Sequence, residues 1–298
     1  MTAIIISSAF ASVAGAESIY ALLNNDPSEG QRLVTFDSAT QAVTSNVLLQ
    51  TASTISPLAS IDVRPATGQL YGYDATGRQL YTINPASGAL SAVGAPLPSG
   101  NFGTMIDFNP VDLVRLVGTN NSNLRIDPST GAIVGTDTNL AYSAGDSNAG
   151  DTPNIRGIGY TNSVAGASTT QLYDIDVDND VLVTQNPANS GTLQTVGALG
   201  VNLNSGPFGS FNGFDISGAT GTAYLTDGQF GGASSFYTVN LTTGAATSLG
   251  AVSGLPAGRT VAAIAVGSPG SVPEPTTLVS LAILGAIGCG ARRRMIAA

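Results

Sequence analysis

One short turn recurs along this chain and limits what it can fold into. It reads Asn84-Pro85-Ala86-Ser87-Gly88-Ala89-Leu90, then Asp127-Pro128-Ser129-Thr130-Gly131-Ala132-Ile133. It returns as Asn186-Pro187-Ala188-Asn189-Ser190-Gly191-Thr192-Leu193, one residue longer, and as Asn240-Leu241-Thr242-Thr243-Gly244-Ala245-Ala246. A degenerate copy, Asp37-Ser38-Ala39-Thr40-Gln41-Ala42-Val43, comes first in the chain. In each, an Asp or Asn opens the turn with a side chain able to bond backbone two residues on. In the four clear copies Gly supplies a position of positive φ. Alternating apolar residues flank the turn, as in Leu80-Tyr81-Thr82-Ile83 and Phe236-Tyr237-Thr238-Val239. That pattern predicts a β-hairpin.

A second repeat precedes the first. Ile61-Asp62-Val63-Arg64-Pro65-Ala66-Thr67-Gly68-Gln69-Leu70-Tyr71 matches Phe214-Asp215-Ile216-Ser217-Gly218-Ala219-Thr220-Gly221-Thr222-Ala223-Tyr224. Ile106-Asp107-Phe108-Asn109-Pro110 is a shortened copy, and Ile158-Gly159-Tyr160 stands in the next unit without the Asp. Two hairpins make a four-stranded unit of about 40–50 residues, the size of a propeller blade. The first unit lacks its opening strand, since Ser18-Ile19-Tyr20-Ala21-Leu22 matches the second strand of later units. The missing strand appears at the other end as Val261-Ala262-Ala263-Ile264-Ala265-Val266. The expectation is an all-β propeller of about five four-stranded blades, closed by N- and C-terminal strands, which pairs otherwise open edges. An open β-solenoid is the alternative; it needs capping units and leaves the complementary ends unexplained.

Composition removes whole mechanisms. The chain has no His and no Trp, its only basic residues are 10 Arg, and its single cysteine is Cys289. That rules out the usual Ser-His-Asp triad, His/Cys zinc and haem sites, and the lysines of Schiff bases and phosphate loops. It also rules out a disulfide framework, which a chain of this length does not need. Between residues 17 and 271, 18 acids face seven Arg, a balance of −11. Such a surface repels nucleic acid and suits solubility and divalent cations.

Two sets of carboxylates are candidate sites. Asp174, Asp176, Asp178 and Asp180 alternate along Asp174-Ile175-Asp176-Val177-Asp178-Asn179-Asp180. Oxygens spaced this way suit Ca²⁺, the one candidate cofactor, but the EF-hand pattern fails at Asn179 and Gln185. The plain structural reading is a hairpin with Tyr173, Ile175 and Val177 inward and Asp178-Asn179-Asp180 as its turn. Asp62, Asp107 and Asp215 share one repeat position, where Gly159 and Ala265 fill the other two places. On an innermost strand they would ring the channel and hold a cation or water; alternatively each caps its own blade turn. Arg64 and Arg115 are expected to pair with carboxylates at the surface. The polar insertion from Tyr142 to Gly157 and the later loop Asn202-Leu203-Asn204-Ser205-Gly206 are where a ligand site on loops is expected, if they are not simple connections.

The ends of the chain address it to a compartment. Val272-Pro273-Glu274-Pro275 is followed by an apolar run of 16 residues, 276 to 291, and then by Arg292-Arg293-Arg294. This tail resembles the PEP-CTERM sorting signal of bacteria that make extracellular polysaccharide. The resemblance implies recognition by an exosortase, a membrane-embedded cysteine protease, at or near Pro273-Glu274-Pro275. The apolar run is shorter than the roughly 20 residues a spanning helix prefers, which fits a transient transmembrane helix. The arginines would stay cytoplasmic as the membrane stop. Residues 1–16 are expected to be a signal peptide with a small-residue site at Ala14-Gly15-Ala16; with no basic residue after Met1-Thr2, the true start would lie upstream. The expected organisation is thus 1–16 signal peptide, 17–267 propeller ectodomain, 268–275 linker, 276–291 transmembrane helix and 292–298 basic tail.

The ectodomain also resembles a known family. Asp62-Val63-Arg64-Pro65-Ala66-Thr67-Gly68-Gln69-Leu70-Tyr71, Leu140-Ala141-Tyr142-Ser143-Ala144-Gly145-Asp146-Ser147-Asn148-Ala149-Gly150, Leu172-Tyr173-Asp174-Ile175-Asp176, Gln185-Asn186-Pro187 and Gly213-Phe214-Asp215-Ile216-Ser217 are similar to domain of unknown function 4394. That resemblance implies an extracytoplasmic propeller-like fold and brings no activity. The expected function is a non-catalytic cell-surface or matrix protein that binds extracellular polysaccharide or surface proteins. A propeller-type glycoside hydrolase or lyase using Asp carboxylates is the alternative. It is weakened because upstream of the tail the only glutamates are Glu17 and Glu29.

Overall fold

The structure is a computed structural model that describes residues 16–50, 55–100, 103–118, 120–203, 210–229 and 233–267. In chain order, blade 1 holds β1 (Ser18–Leu23), β2 (Arg32–Asp37) and β3 (Val43–Leu48). Blade 2 holds β4 (Ser60–Val63), β5 (Leu70–Asp74), β6 (Gln79–Ile83) and β7 (Leu90–Val93). Blade 3 holds β8 (Met105–Phe108), β9 (Val114–Val117), β10 (Asn123–Ile126) and β11 (Ile133–Thr136). Then follow β12 (Ala141–Tyr142), β13 (Ile155–Tyr160), β14 (Leu172–Asp176), β15 (Val181–Gln185) and β16 (Thr192–Ala198) of blade 4. Blade 5 holds β17 (Ser210–Ile216), β18 (Ala223–Gln229), β19 (Ser234–Val239) and β20 (Ala246–Ala251), and β21 (Val261–Val266) follows it.

The expected five blades are present, and the chain closes the ring as its ends suggested. β21 becomes the innermost strand of blade 1, antiparallel to β1, with Ile19 opposite Val266 and Ala21 opposite Ile264. Blade 4 departs from the four-stranded plan: β12 adds to its outer edge, parallel to β16. The innermost strands β4, β8, β13, β17 and β21 contact one another in that order around the axis, and β21 meets β4 to complete the circle.

The core is five cores, one between each pair of neighbouring blades. Tyr71, Leu80, Phe108 and Val114 pack together between blades 2 and 3, and Ile175, Leu182, Phe214 and Leu225 between blades 4 and 5. The closure between blades 5 and 1 is packed by Phe36 edge-on to Phe236, ring centres 5.0 Å apart. Because every sheet has a neighbour on both sides, β4, β5, β8 and β9 are buried at every position. Only outer strands such as β3 and β11 alternate between partly covered and exposed residues.

The recurring turn does two jobs. Within a blade, the Asn84, Asp127 and Asn240 side chains each accept backbone N–H bonds from the residues two and three positions on. Between blades, the turn presses on the outer strand of the preceding blade. At Gly131 φ is +70°, and a Cβ there would sit 2.3 Å from the Val93 carbonyl oxygen. In the degenerate copy Gln41 takes the same left-handed conformation, φ 56°, and its turn accepts Ser253 N–H from the outer edge of blade 5.

The signal peptide, the 268–275 linker, the transmembrane run and the Arg292–Arg294 tail lie outside the described residues, apart from Ala16. Among the described residues no helix is long and apolar enough to cross a membrane.

Gly131→Ala should destabilise the fold by roughly 1–3 kcal/mol in chemical denaturation, because it adds left-handed strain and a clash with the neighbouring blade. Gln41→Ala, which keeps a strain already present and removes one side-chain bond to Ser38, should lose only about 1 kcal/mol. Equal losses at both positions would contradict the close approach assigned to Gly131.

Candidate functional site

The innermost strand of each blade has one edge paired and one edge facing the axis. Backbone N–H groups on that free edge need acceptors, and buried groups left without them are rare. Three aspartates supply them. Asp62 on β4 accepts Val63 N–H at 2.7 Å with one oxygen and Phe108 N–H, from blade 3, at 2.6 Å with the other. Asp107 on β8 accepts Tyr160 N–H from blade 4 at 3.2 Å. Asp215 on β17 accepts Ile216 N–H at 2.6 Å and Val266 N–H, from β21, at 2.5 Å. One axis-facing N–H from every blade is thus covered by three carboxylates. Where Gly159 and Ala265 offer none, Asp215 and Asp62 cover the N–H of their own strand as well as the next.

Asp62, Asp107 and Asp215 are only 2–5 % exposed, and their nearest oxygens lie within 4.8 Å of one another. Burial, then the charge of Asp215, pushes Asp62 far above the usual carboxylate range. Burial, then Asp62 and Asp215, does the same to Asp107. Asp215 is pushed up to about 7, by burial first and then by Glu17, against the pull of its two N–H bonds. No arginine is among the causes at these three. The belt therefore shares protons at neutral pH rather than holding three charges. By position the trio could also hold a metal ion, but five of its six oxygens already accept backbone N–H groups. A Ca²⁺ ion asks for six to eight oxygens. The neighbouring stretch of the channel, between Ser60, Ile106, Gly157, Phe214 and Ala263, is a cavity of about 10 Å³, the size of one water.

The other acidic candidates do not converge. Asp174 and Asp176 lie on β14, fully buried, while Asp178 is exposed in the turn. Asp176 accepts from the Tyr142 hydroxyl and from Asp178 N–H. Asp178 accepts from Asn154 Nδ2, and Asp180 holds Leu203 N–H in the next connection. Among the described residues these four do not come within reach of one ion; Asp62, Asp107 and Asp215 do. The hairpin reading describes the backbone, with Ile175 and Val177 packed against blade 5. What that reading lacked is that the opposite face is covered too: Asp174 lies near Arg115 of blade 3, and Asp176 accepts from Tyr142 of β12.

The insertion after β12 is tied down. Asp146 accepts Thr195 N–H at 2.6 Å and its hydroxyl at 2.7 Å, and Asn148 donates to the same hydroxyl. Of the later loop, Asn202 and Leu203 are described; residues 204–206 lie outside the described residues.

Arg64 pairs with Asp112 near the surface, as expected. Arg115 does not: it is 1 % exposed and is the largest fully buried side chain described. It sits on β9 facing blade 4 and donates to Tyr160 Oη at 3.1 Å. Asn123, Asp137 and Asn189 accept its other bonds, each at 2.6 Å. Asp137 also takes a two-pronged bond from Arg125, and the two guanidinium groups hold its carboxyl below the usual range despite burial. A signal for this cluster existed in the repeat. Opposite the axis position the second strands carry Tyr20, Tyr71, Tyr173 and Tyr224, and only blade 3 carries an arginine.

With no His in the chain, the raised carboxyl groups of the belt and of Asp174 dominate titration of the folded protein above the usual carboxylate range. Asp137 and Asp146 have lowered values and act only in acid. Raised carboxylates stabilise fully below their unfolded values and lose that contribution as pH climbs through their folded values. Stability should therefore fall from pH 5 to pH 8, by about 3 kcal/mol from Asp215 alone. Asp215→Asn should flatten that slope in pH-dependent denaturation, and an unchanged slope would remove Asp215 from the belt's titration.

Comparison with known proteins adds the family. A search of curated proteins finds no match. The family model described as domain of unknown function (DUF4394) matches residues 32–265, from β2 into β21. On that match, and with five blades built on its repeats, the chain belongs to the DUF4394 family.

Proposed function

We propose that this protein is a non-catalytic propeller that binds polysaccharide or a surface protein outside the cell, and that an exosortase delivers it there. The observation that carries the non-catalytic reading is the occupancy of the axial carboxylates. Glycoside hydrolysis needs two carboxyl groups roughly 5–9.5 Å apart across a cleft that admits a sugar. Asp62, Asp107 and Asp215 lie closer together, accept backbone N–H groups, and adjoin a space of about 10 Å³. A hydrolase or lyase built on these aspartates has neither free carboxyl groups nor room for substrate, so it ranks second. The delivery reading is supported by sequence: Val272-Pro273-Glu274-Pro275, the apolar run and Arg292-Arg293-Arg294 in that order.

A glycan array probed with the full-length protein, with a turnover assay on each hit, tests the binding reading. It should give binding without cleavage; sustained turnover abolished by Asp62→Asn would establish the enzyme instead. In the native host, Glu274→Ala should block processing and leave the chain in the membrane, and normal surface display would sink the sorting reading.

A further inference from the structure

The interface between blades 3 and 4 departs from the repeat in a way the fold does not require. At one cross-strand row, four blades place Tyr beside Thr: Tyr20 with Thr35, Tyr71 with Thr82, Tyr173 with Thr184, Tyr224 with Thr238. Blade 3 places Arg115 beside Arg125. Where Tyr stands it can tie its blade to the next without charge, as when Tyr71 Oη donates to the Pro128 carbonyl. A buried guanidinium is a costly replacement for such a tie.

The charges around it do not cancel. Arg115 and Arg125 share the single carboxylate of Asp137. The other acid facing them, Asp174, is fully buried, and neither of its oxygens has a hydrogen-bond partner. A carboxylate in that setting is neutral, since burial of an unpaired, unbonded charge is prohibitive; burial raises Asp174 well above the usual range even against the pull of Arg115. One positive charge of the pair is left over, in a protein of net charge −9.

That charge lies against an open space. A cavity of about 230 Å³ is lined by Arg115, Tyr160, Asn109, Asn189, Thr169 and Val111 among others. Four of the five guanidinium N–H groups of Arg115 have partners, which leaves one on Nη2. Amide and hydroxyl groups share the wall with apolar surface, the mixture a sugar ring presents in return. The volume is below the roughly 300 Å³ typical of pockets for larger ligands. It suits one ring of a chain that continues outside.

We propose that the cavity between blades 3 and 4 binds a carboxylate-bearing sugar of an acidic polysaccharide, with the Arg115 guanidinium as anchor for the carboxylate. The proposal rests on the reading of the protein as a glycan binder and gives that reading a site. The bond is charge-assisted, and a guanidinium–carboxylate pair is stronger than a bond between neutral groups.

Titration calorimetry on the full-length protein with a galacturonate oligosaccharide, its neutral galactose counterpart and acetate tests it. The uronate should bind, and the neutral sugar and acetate should each bind at least tenfold more weakly. Arg115→Tyr, which restores the residue of the other blades, should lower uronate affinity at least tenfold while melting cooperatively. Val111→Glu alters a side chain 74 % exposed, cannot disturb the core, and should weaken the uronate several-fold by repulsion. Equal affinity for uronate and neutral sugar, or uronate binding unchanged by both variants, would overturn the proposal. If the protein binds neutral glycans and not uronates, this site fails while the wider reading stands; if it binds no glycan, the polysaccharide reading fails with it.

Discussion

An inner strand of a propeller cannot pair both of its edges. Its outer edge meets the next strand of the blade, and its inner edge faces an axis too narrow for bulk water. Each N–H stranded there would cost roughly 1–3 kcal/mol. Asp62, Asp107 and Asp215 remove that cost at one level of the ring, each reaching from its own strand to the next blade. Much else follows from this. The carboxylates are central because the unpaired edges are, they lie within 4.8 Å of one another because five edges converge, and their values rise because they are buried together.

The same constraint separates structure from recognition in this molecule. Carboxylates at the centre of a propeller invite a catalytic or metal reading, yet here they are held by backbone groups. The Arg115 guanidinium, which keeps one N–H on Nη2 without a partner, lies off the axis where blade 3 breaks the Tyr–Thr row. The turns matter in the same way: the Asn or Asp that opens each one satisfies local backbone, and the Gly that follows lets the neighbouring blade approach. Repeated residues hold the ring, and the departures from the repeat are where a binding role can be looked for.

Much of the fold was legible because it is written locally. Turn residues at fixed offsets mark hairpins wherever they fall, and Ser18–Leu22 lacking a partner that Val261–Val266 supplies marks the closure. The site was legible in part. One repeat position marked Asp62, Asp107 and Asp215, but not that three side chains serve five blades, since this depends on distances across the axis. Asp174 and Asp176 read as turn-flanking carboxylates, because a single hairpin has one wet face and only the assembled ring covers both. Arg115 was misread as a surface residue for the same reason, although the Tyr of the other blades marked the place as interior.

Three carboxylates hold the inner edges of all five blades together. Amide hydrogen exchange at Val63, Phe108, Tyr160, Ile216 and Val266 tests this most directly. All five amides should exchange as slowly as the paired amides of β5 and β18, and Asp62→Ala should speed exchange at Val63 and Phe108 first while Ile216 and Val266 stay protected. Fast exchange at these amides in the unaltered protein, or protection at Val63 and Phe108 that survives loss of Asp62, would contradict the account.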